Sequence, residues 1–322
     1  RPLMWASWGL GTVAVWAMAA SASIEMFTAA LVFYGLTAAV VAPMNSYITD
    51  ARGNWSVGRA IAISLGSWQL GSVFGPLLGG QIGQVHGLRS VYFVGAVILT
   101  VSTLVIFFIR PQPVHPEVPA AGQSRLLHDP RFVTFLGMTA VVVFAAYLPQ
   151  PLTPNFLQNQ RGLSLVAIGQ IAALSCLGNA VLSLALGHLS ASLVFIIGQA
   201  SVAVFSLLMW QGTGMAWYGI GAFFFGGYRL CRSMSIALTR PLVGAAELGL
   251  AYGLVETANS GAVMLAPLMA GIIYQQNPIA VYPLSLALLG ITLAVSARYL
   301  STRRHAPGEI EEPAEIEFVD IR

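Results

Sequence analysis

Residues 66–80 read Gly-Ser-Trp-Gln-Leu-Gly-Ser-Val-Phe-Gly-Pro-Leu-Leu-Gly-Gly. Starting 191 positions later, residues 257–271 read Thr-Ala-Asn-Ser-Gly-Ala-Val-Met-Leu-Ala-Pro-Leu-Met-Ala-Gly. Pro76 and Gly80 land on Pro267 and Gly271. The same offset of 191 carries Phe33, Tyr34, Gly35, Gly58 and Ala60 onto Phe224, Phe225, Gly226, Gly249 and Ala251. Two apolar helices and the loop between them are therefore duplicated without net insertion, and the chain reads as two similar helical bundles.

Composition says where those bundles sit. Charged residues make up 8% of the chain and hydrophobic ones 57%, whereas soluble domains carry about 25% charged residues. A hydrocarbon core about 30 Å thick needs about 20 apolar residues per helix. Ten segments satisfy this, at 3–22, 27–49, 57–84, 89–110, 131–150, 164–188, 193–211, 214–239, 247–275 and 279–299. The expected fold is an all-α integral membrane protein of two bundles, an arrangement found in many secondary transporters.

The boundaries follow from the same repeat. Residues 1–110 form a first bundle of four helices, and residues 131–299 a second bundle of six. Between them, Pro111, Pro113, Pro116 and Pro119 interrupt any regular element, so 111–130 reads as a central cytoplasmic loop. The second bundle opens with helices at 131–188, and subtracting 191 puts their counterparts before residue 1. The expectation is therefore ten of twelve helices, with two lying upstream. Residues 300–322, with Glu309, Glu311, Glu312, Glu315 and Glu317, read as an acidic, disordered cytoplasmic tail.

Orientation comes from the arginines, since the chain has no Lys. If Arg1 is cytoplasmic and helices alternate, then Arg1, Arg52, Arg59, Arg110, Arg125, Arg131, Arg240, Arg298, Arg303 and Arg304 lie inside. Arg89 and Arg161 lie outside. That positive-inside bias places both ends of this chain in the cytoplasm and the protein in the cell membrane. It also explains the net charge of +3 without nucleic acid.

Three ionisable residues lie deep within the apolar segments, away from their ends. Arg229 and Arg232 are one turn apart on one helix face, and Glu256 is on the next helix. A charge at mid-bilayer costs about 2.5–3.5 kcal/mol on the insertion scale, so each needs a partner or water. Counting about 1.5 Å per residue from the helix ends puts Arg232 and Glu256 at similar depth, where they can pair. That leaves Arg229 to bind an anionic or carbonyl-bearing solute, since its fork suits pairs of oxygens. Glu256 is a candidate to carry a coupling proton. Tyr34, Asn45, Gln69, Tyr147, Gln150 and Asn259 are further candidates, being polar or amphipathic residues within or at the ends of helices. Pro149-Gln150-Pro151, with Pro154 after it, implies an early helix break at the outer face.

Gly66, Gly71, Gly75, Pro76, Gly79 and Gly80, following the loop pair Gly58-Arg59, resemble the fifth-helix antiporter signature of the major facilitator superfamily. Gly87-Leu88-Arg89 is similar to the Gly-Trp-Arg that opens the family's sixth helix. The resemblance spans residues 1 to about 300 and implies a secondary transporter close to the drug and metabolite antiporters. On that reading the protein exports a small amphiphilic molecule against protons by alternating access, as a monomer and without cofactor or metal. A proton symporter or facilitator importing a small anionic metabolite, and a non-transporting membrane scaffold, are the other readings the residues allow. The chain departs from the family at Leu31, where an Arg is usual, and at Ser190-Ala191-Ser192, where an Asp-Arg pair is common. Within the motif, small residues four apart imply a close-packed helix seam that Pro76 and its counterpart Pro267 bend, with Gly271 closing the second copy. No Cys-x-x-Cys, paired-His or phosphate-cradling pattern suggests an enzyme.

Overall fold

The computed structural model describes residues 2–40, 44, 47, 48, 51, 53, 57–110, 126–244 and 247–304, and these are helical apart from short connections. The first half holds α1 (Pro2–Ala20), α2 (Ile24–Gly35), α3 (Val57–His86) and α4 (Leu88–Phe107). The second holds α5 (Pro130–Tyr147), α6 (Thr153–Asn159), α7 (Leu165–Leu186), α8 (Ala191–Gln211), α9 (Met215–Phe225), α10 (Gly227–Ala237), α11 (Leu248–Gln276) and α12 (Val281–Arg304). Among the described residues, α1, α4, α5, α7, α8, α11 and α12 are long and apolar enough to cross a membrane. α3 is longer than any of these, but Ser64, Ser67, Gln69, Ser72, Gln81 and Gln84 dilute its apolar character. Most of the central loop, 111–125, and the tail from 305 onward lie outside the described residues.

Two segments expected as single helices are not. The stretch expected at 27–49 is α-helical only to Gly35, where the Leu36 N–H bonds the carbonyls of Phe33 and Tyr34 and the chain tightens into a 3₁₀ turn, Leu36–Val40. The stretch expected at 214–239 is split at Gly226, whose N–H likewise reaches Phe223 and Phe224. Here another backbone crosses at the break. A Cβ on Gly178 of α7 would sit on the Phe223 carbonyl, and one on Gly226 would meet the Asn179 nitrogen. Only a pair of glycines lets α7 and the α9–α10 junction touch. The expected early break at the Pro149 run is present: α5 stops at Tyr147 and α6 restarts at Thr153.

Packing in the first half rests on an indole ladder. Trp5 donates to the Ile106 carbonyl (3.0 Å), Trp8 to Ser102 Oγ (3.1 Å) and Trp16 to Thr100 Oγ1 (3.0 Å), while Thr12 and Thr103 bond at 2.7 Å. These donors bind α1 to α4 where lipid offers no water to satisfy them. The second half has a dense core around Phe156, Val202, Phe205, Met209, Tyr218, Tyr282 and Leu289. Buried polar pairs pin it: Ser206 with Ser285 at 3.3 Å, Ser285 to the Ala145 carbonyl at 2.8 Å, and Gln199 to Ser296 at 3.2 Å.

The halves meet where α3 lies along α7. A Cβ on Gly80 would come within 2.7 Å of the Leu165 carbonyl, and one on Gly169 would strike the Pro76 carbonyl. Gln84 Oε1 then accepts from the Leu165 N–H at 3.0 Å, which closes this end of the seam. Close packing is confined to that end. Gly66, Gly71, Gly75 and Gly271 have open space where a Cβ would be, and Gly79 meets only Val91 of α4. The expectation that the whole glycine run packs tightly is therefore corrected. Pro76, Gly80 and Gly83 share the stripe facing α7, whereas Gly75 is rotated off it by one residue.

Candidate functional site

Beside that seam, towards the opposite end of the helices, the two halves enclose a cavity of about 730 Å³. α3 contributes Gln69 and Ser72, and α7 contributes Ser175, Cys176 and Asn179. Tyr147 and Gln150 come from the end of α5 and the turn after it. α10 supplies most of the chemistry. Its sequence Gly-Tyr-Arg-Leu-Cys-Arg-Ser-Met-Ser-Ile-Ala turns Leu230, Cys231 and Ser235 into the bundle. Arg229, Arg232, Ser233 and Ile236, spaced by three, one and three residues, face the cavity on the other side. The helix break at Gly226 sets this face, because it re-aims the turn that carries Tyr228 and Arg229.

Arg232 pairs with Glu256 of α11. Its Nη2 donates to Glu256 Oε1 and, at 3.3 Å, to Ser260 Oγ, while Nε lies 3.5 Å from Oε2. The two side chains are 32% and 42% exposed, so the pair borders the cavity and is not sealed in the core. Arg229, one turn deeper on the same stripe, is exposed to the cavity. An aromatic wall stands next to it. Phe225 and Tyr228 stack at 5.6 Å with an interplanar angle of 10°, and Tyr147 lies 5.0 Å from Tyr228.

The other candidates divide by position. Gln69, Tyr147 and Gln150 line the cavity with the three ionisable residues. Asn259 does not: it is fully buried and donates to Ser235 Oγ at 2.9 Å, and Ser235 in turn donates to the Arg232 carbonyl at 2.7 Å. It holds α10 against α11 behind the pair. Tyr34 is exposed on α2, away from the cavity lining, and Asn45 lies outside the described residues. Sequence reasoning missed Tyr228, Ser72, Ser175, Phe225 and Ser260. Spacing held a signal for two of them, since Ser72 is one turn from Gln69 and Ser260 one turn from Glu256.

A second, smaller cavity of about 280 Å³ adjoins the first and shares Gln150, Ser175, Cys176 and Phe225 with it. Its remaining lining includes Pro76, Leu157, Ile168, Ile171, Phe205 and Ala222, and among the described residues no charged one.

Two apolar helical halves around a cavity that carries charged side chains give the two-bundle architecture found in many multi-pass secondary transporters. Residues 1–230 match the Major Facilitator Superfamily, and the chain belongs to that family. A stretch of 100 residues is 33% identical to "Multidrug resistance protein MdtG" of Dickeya zeae (strain Ech586), covering 30% of this chain and 24% of that relative. Solved structures share the fold at low identity. A mutant of the nucleoside transporter NupG superimposes with TM-score 0.76 at 12% identity, over 93% of this chain and 82% of its own. A bacterial homolog of the human lysosomal transporter Spinster, inward-facing and occupied, gives TM-score 0.62 at 14% identity, over 93% and 80%.

Proposed function

We propose that this protein exports small amphiphilic molecules in exchange for protons, by alternating access around the cavity bordered by Arg229, Arg232 and Glu256. The observation that carries the reading is a cavity between the halves holding three ionisable side chains, beside a seam closed at one end by Gly80, Gly169 and Gln84. Ionisable residues at such depth mark solute and proton paths. On the arginine distribution, the closed end is the outer one and the cavity faces the cytoplasm, with both ends of the chain inside and the protein in the cell membrane. The partial likeness to a multidrug resistance protein and the antiporter-like run at Gly75-Pro76 both favour export. Glu256 is the coupling carboxylate, held by Arg232 until a proton or solute displaces it. The unit of transport is the monomer.

Proteoliposomes with an imposed pH gradient test this. Solute should move against its own gradient towards the side from which protons leave. Accumulation on the side that protons enter would establish symport instead, and no gradient-driven movement would remove proton coupling.

A further inference from the structure

We infer that the solute of this cavity is an amphiphilic monocarboxylate, its carboxylate on Arg229 and its apolar body in the smaller adjoining chamber. The inference rests on the reading of the cavity as the solute site and adds the chemistry of the solute.

Charge is the first step. Among the described residues, the larger cavity is bordered by two arginines and one glutamate, a net charge of +1, and no other charged side chain lines it. Arg232 already spends its guanidinium on Glu256 and Ser260. Arg229 is the charge that remains for a ligand. A single carboxylate balances it and matches its two-nitrogen fork, whereas a phosphate monoester brings a charge of about −1.5 to −2 and would overshoot.

Shape is the second step. The chamber sharing Gln150, Ser175, Cys176 and Phe225 with the cavity continues between α6, α7, α8 and α9 as an apolar pocket of about 280 Å³. At about 30 Å³ per water-sized group, it accepts roughly nine such groups. A charged head therefore has one place to sit, and an apolar chain of about eight carbons has another directly beside it. Gln150, Ser175 and Cys176 stand at the boundary, where polar and apolar parts of the ligand change over. Pockets with mostly apolar walls and a few oriented polar groups are the usual form of a small-molecule site.

The test is binding by isothermal titration calorimetry to the whole chain in lipid nanodiscs, with empty nanodiscs as the blank for partitioning. The probes are butanoate, hexanoate, octanoate, octan-1-ol and octylamine. Affinity should rise about fourfold per methylene from butanoate to octanoate, octan-1-ol should bind at least about tenfold more weakly than octanoate, and octylamine should not bind. Arg229→Gln should bring octanoate down to octan-1-ol, Arg229→Lys should keep the preference for the acid, and Ala172→Leu, which narrows the apolar chamber, should flatten the chain-length series. If Arg229→Gln does not fold, the ligand series in the parent and Arg229→Lys still decide. Equal affinity for octanoate and octan-1-ol, or a chain-length series untouched by Ala172→Leu, would overturn the inference. Carboxylate-selective binding without proton-driven movement in proteoliposomes would uphold it while counting against proton-coupled export, so the two can fail separately.

Discussion

Gly35 and Gly226 stand 191 residues apart, and within one residue of each the α-helical ladder breaks in the same way, by a tightened turn reaching back to two carbonyls. Their surroundings are opposite. Gly226 is pressed against the backbone of Gly178 and Asn179, whereas Gly35 has no heavy atom within 4 Å of a Cβ placed there. The break is inherited by both halves, and tertiary packing now depends on it in only one.

Alanine at the two positions should separate these roles. Gly226→Ala must push α7 away from the α9–α10 junction, an overpacking cost of about 1–3 kcal/mol. Gly35→Ala should be neutral or stabilise by up to about 1 kcal/mol, the helix-propensity difference. Thermal unfolding in detergent, followed by tryptophan fluorescence, measures both. Equal melting temperatures for the two variants would contradict the assigned crossing.

The same pair marks what was legible in the sequence. The helical membrane class followed from composition, and the helix positions from runs of apolar residues, because lipid enforces both on every residue. The breaks at 35 and 226 were not legible, since a glycine inside an apolar run is equally compatible with a continuous helix. Arg229, Arg232, Glu256, Gln69, Tyr147 and Gln150 were legible as cavity-lining candidates because polar groups in lipid are few and costly. Asn259 and Tyr34 carried the same signal, yet one is buried behind the cavity and the other lies away from it. Periodicity gives a residue's face on its own helix, and not which neighbour covers that face. The Trp5, Trp8 and Trp16 ladder escaped for a similar reason: its acceptors on α4 are ordinary Ser, Thr and carbonyl groups.

The seam offers a test of closure at one end. Gly80→Leu should wedge α3 from α7 at Leu165, whereas Gly75→Leu, facing open space, should not. Spin labels at positions 86 and 163, in a background with Cys176 and Cys231 replaced, would read the mean separation of the two helix ends. An increase of a few ångströms for Gly80→Leu and none for Gly75→Leu is expected. Identical distance distributions would mean that this contact does not hold the end shut.

Arg161 fastens the same end of the second half. It donates to the Trp210 carbonyl at 3.0 Å, and its guanidinium lies 5.2 Å from the Phe156 ring centre and 5.9 Å from that of Tyr218. α6, α8 and α9 are tied by this one side chain. Arg161→Ala should cost about 1–2 kcal/mol in thermal stability, and Arg161→Lys about half as much, since a compact ammonium lacks the planar face that stacks on rings. Unchanged stability in both variants would make the contact incidental.

Arg232 and Glu256 can be separated into structural and coupling roles by three variants. Removing one partner of a buried pair costs about 3–5 kcal/mol in soluble interiors, because the other charge is left uncompensated. Here both side chains are about a third or more exposed to the cavity, where water screens them, so the expected loss is smaller, about 1 kcal/mol. Arg232→Gln should lower thermal stability by that amount, because it strands Glu256 beside Ser260, and Arg232→Gln with Glu256→Gln should recover most of it. Glu256→Gln alone leaves Arg232 bonded to Ser260 and to a neutral amide oxygen, a milder defect. If Glu256 carries the proton, that single variant should fold, still exchange solute across the bilayer, and lose accumulation driven by a pH gradient. Proteoliposome counterflow and gradient-driven uptake, measured on one preparation, give the two readouts. Full gradient-driven transport by Glu256→Gln would remove Glu256 from coupling, and a double variant no more stable than Arg232→Gln would remove the pair as a structural tie.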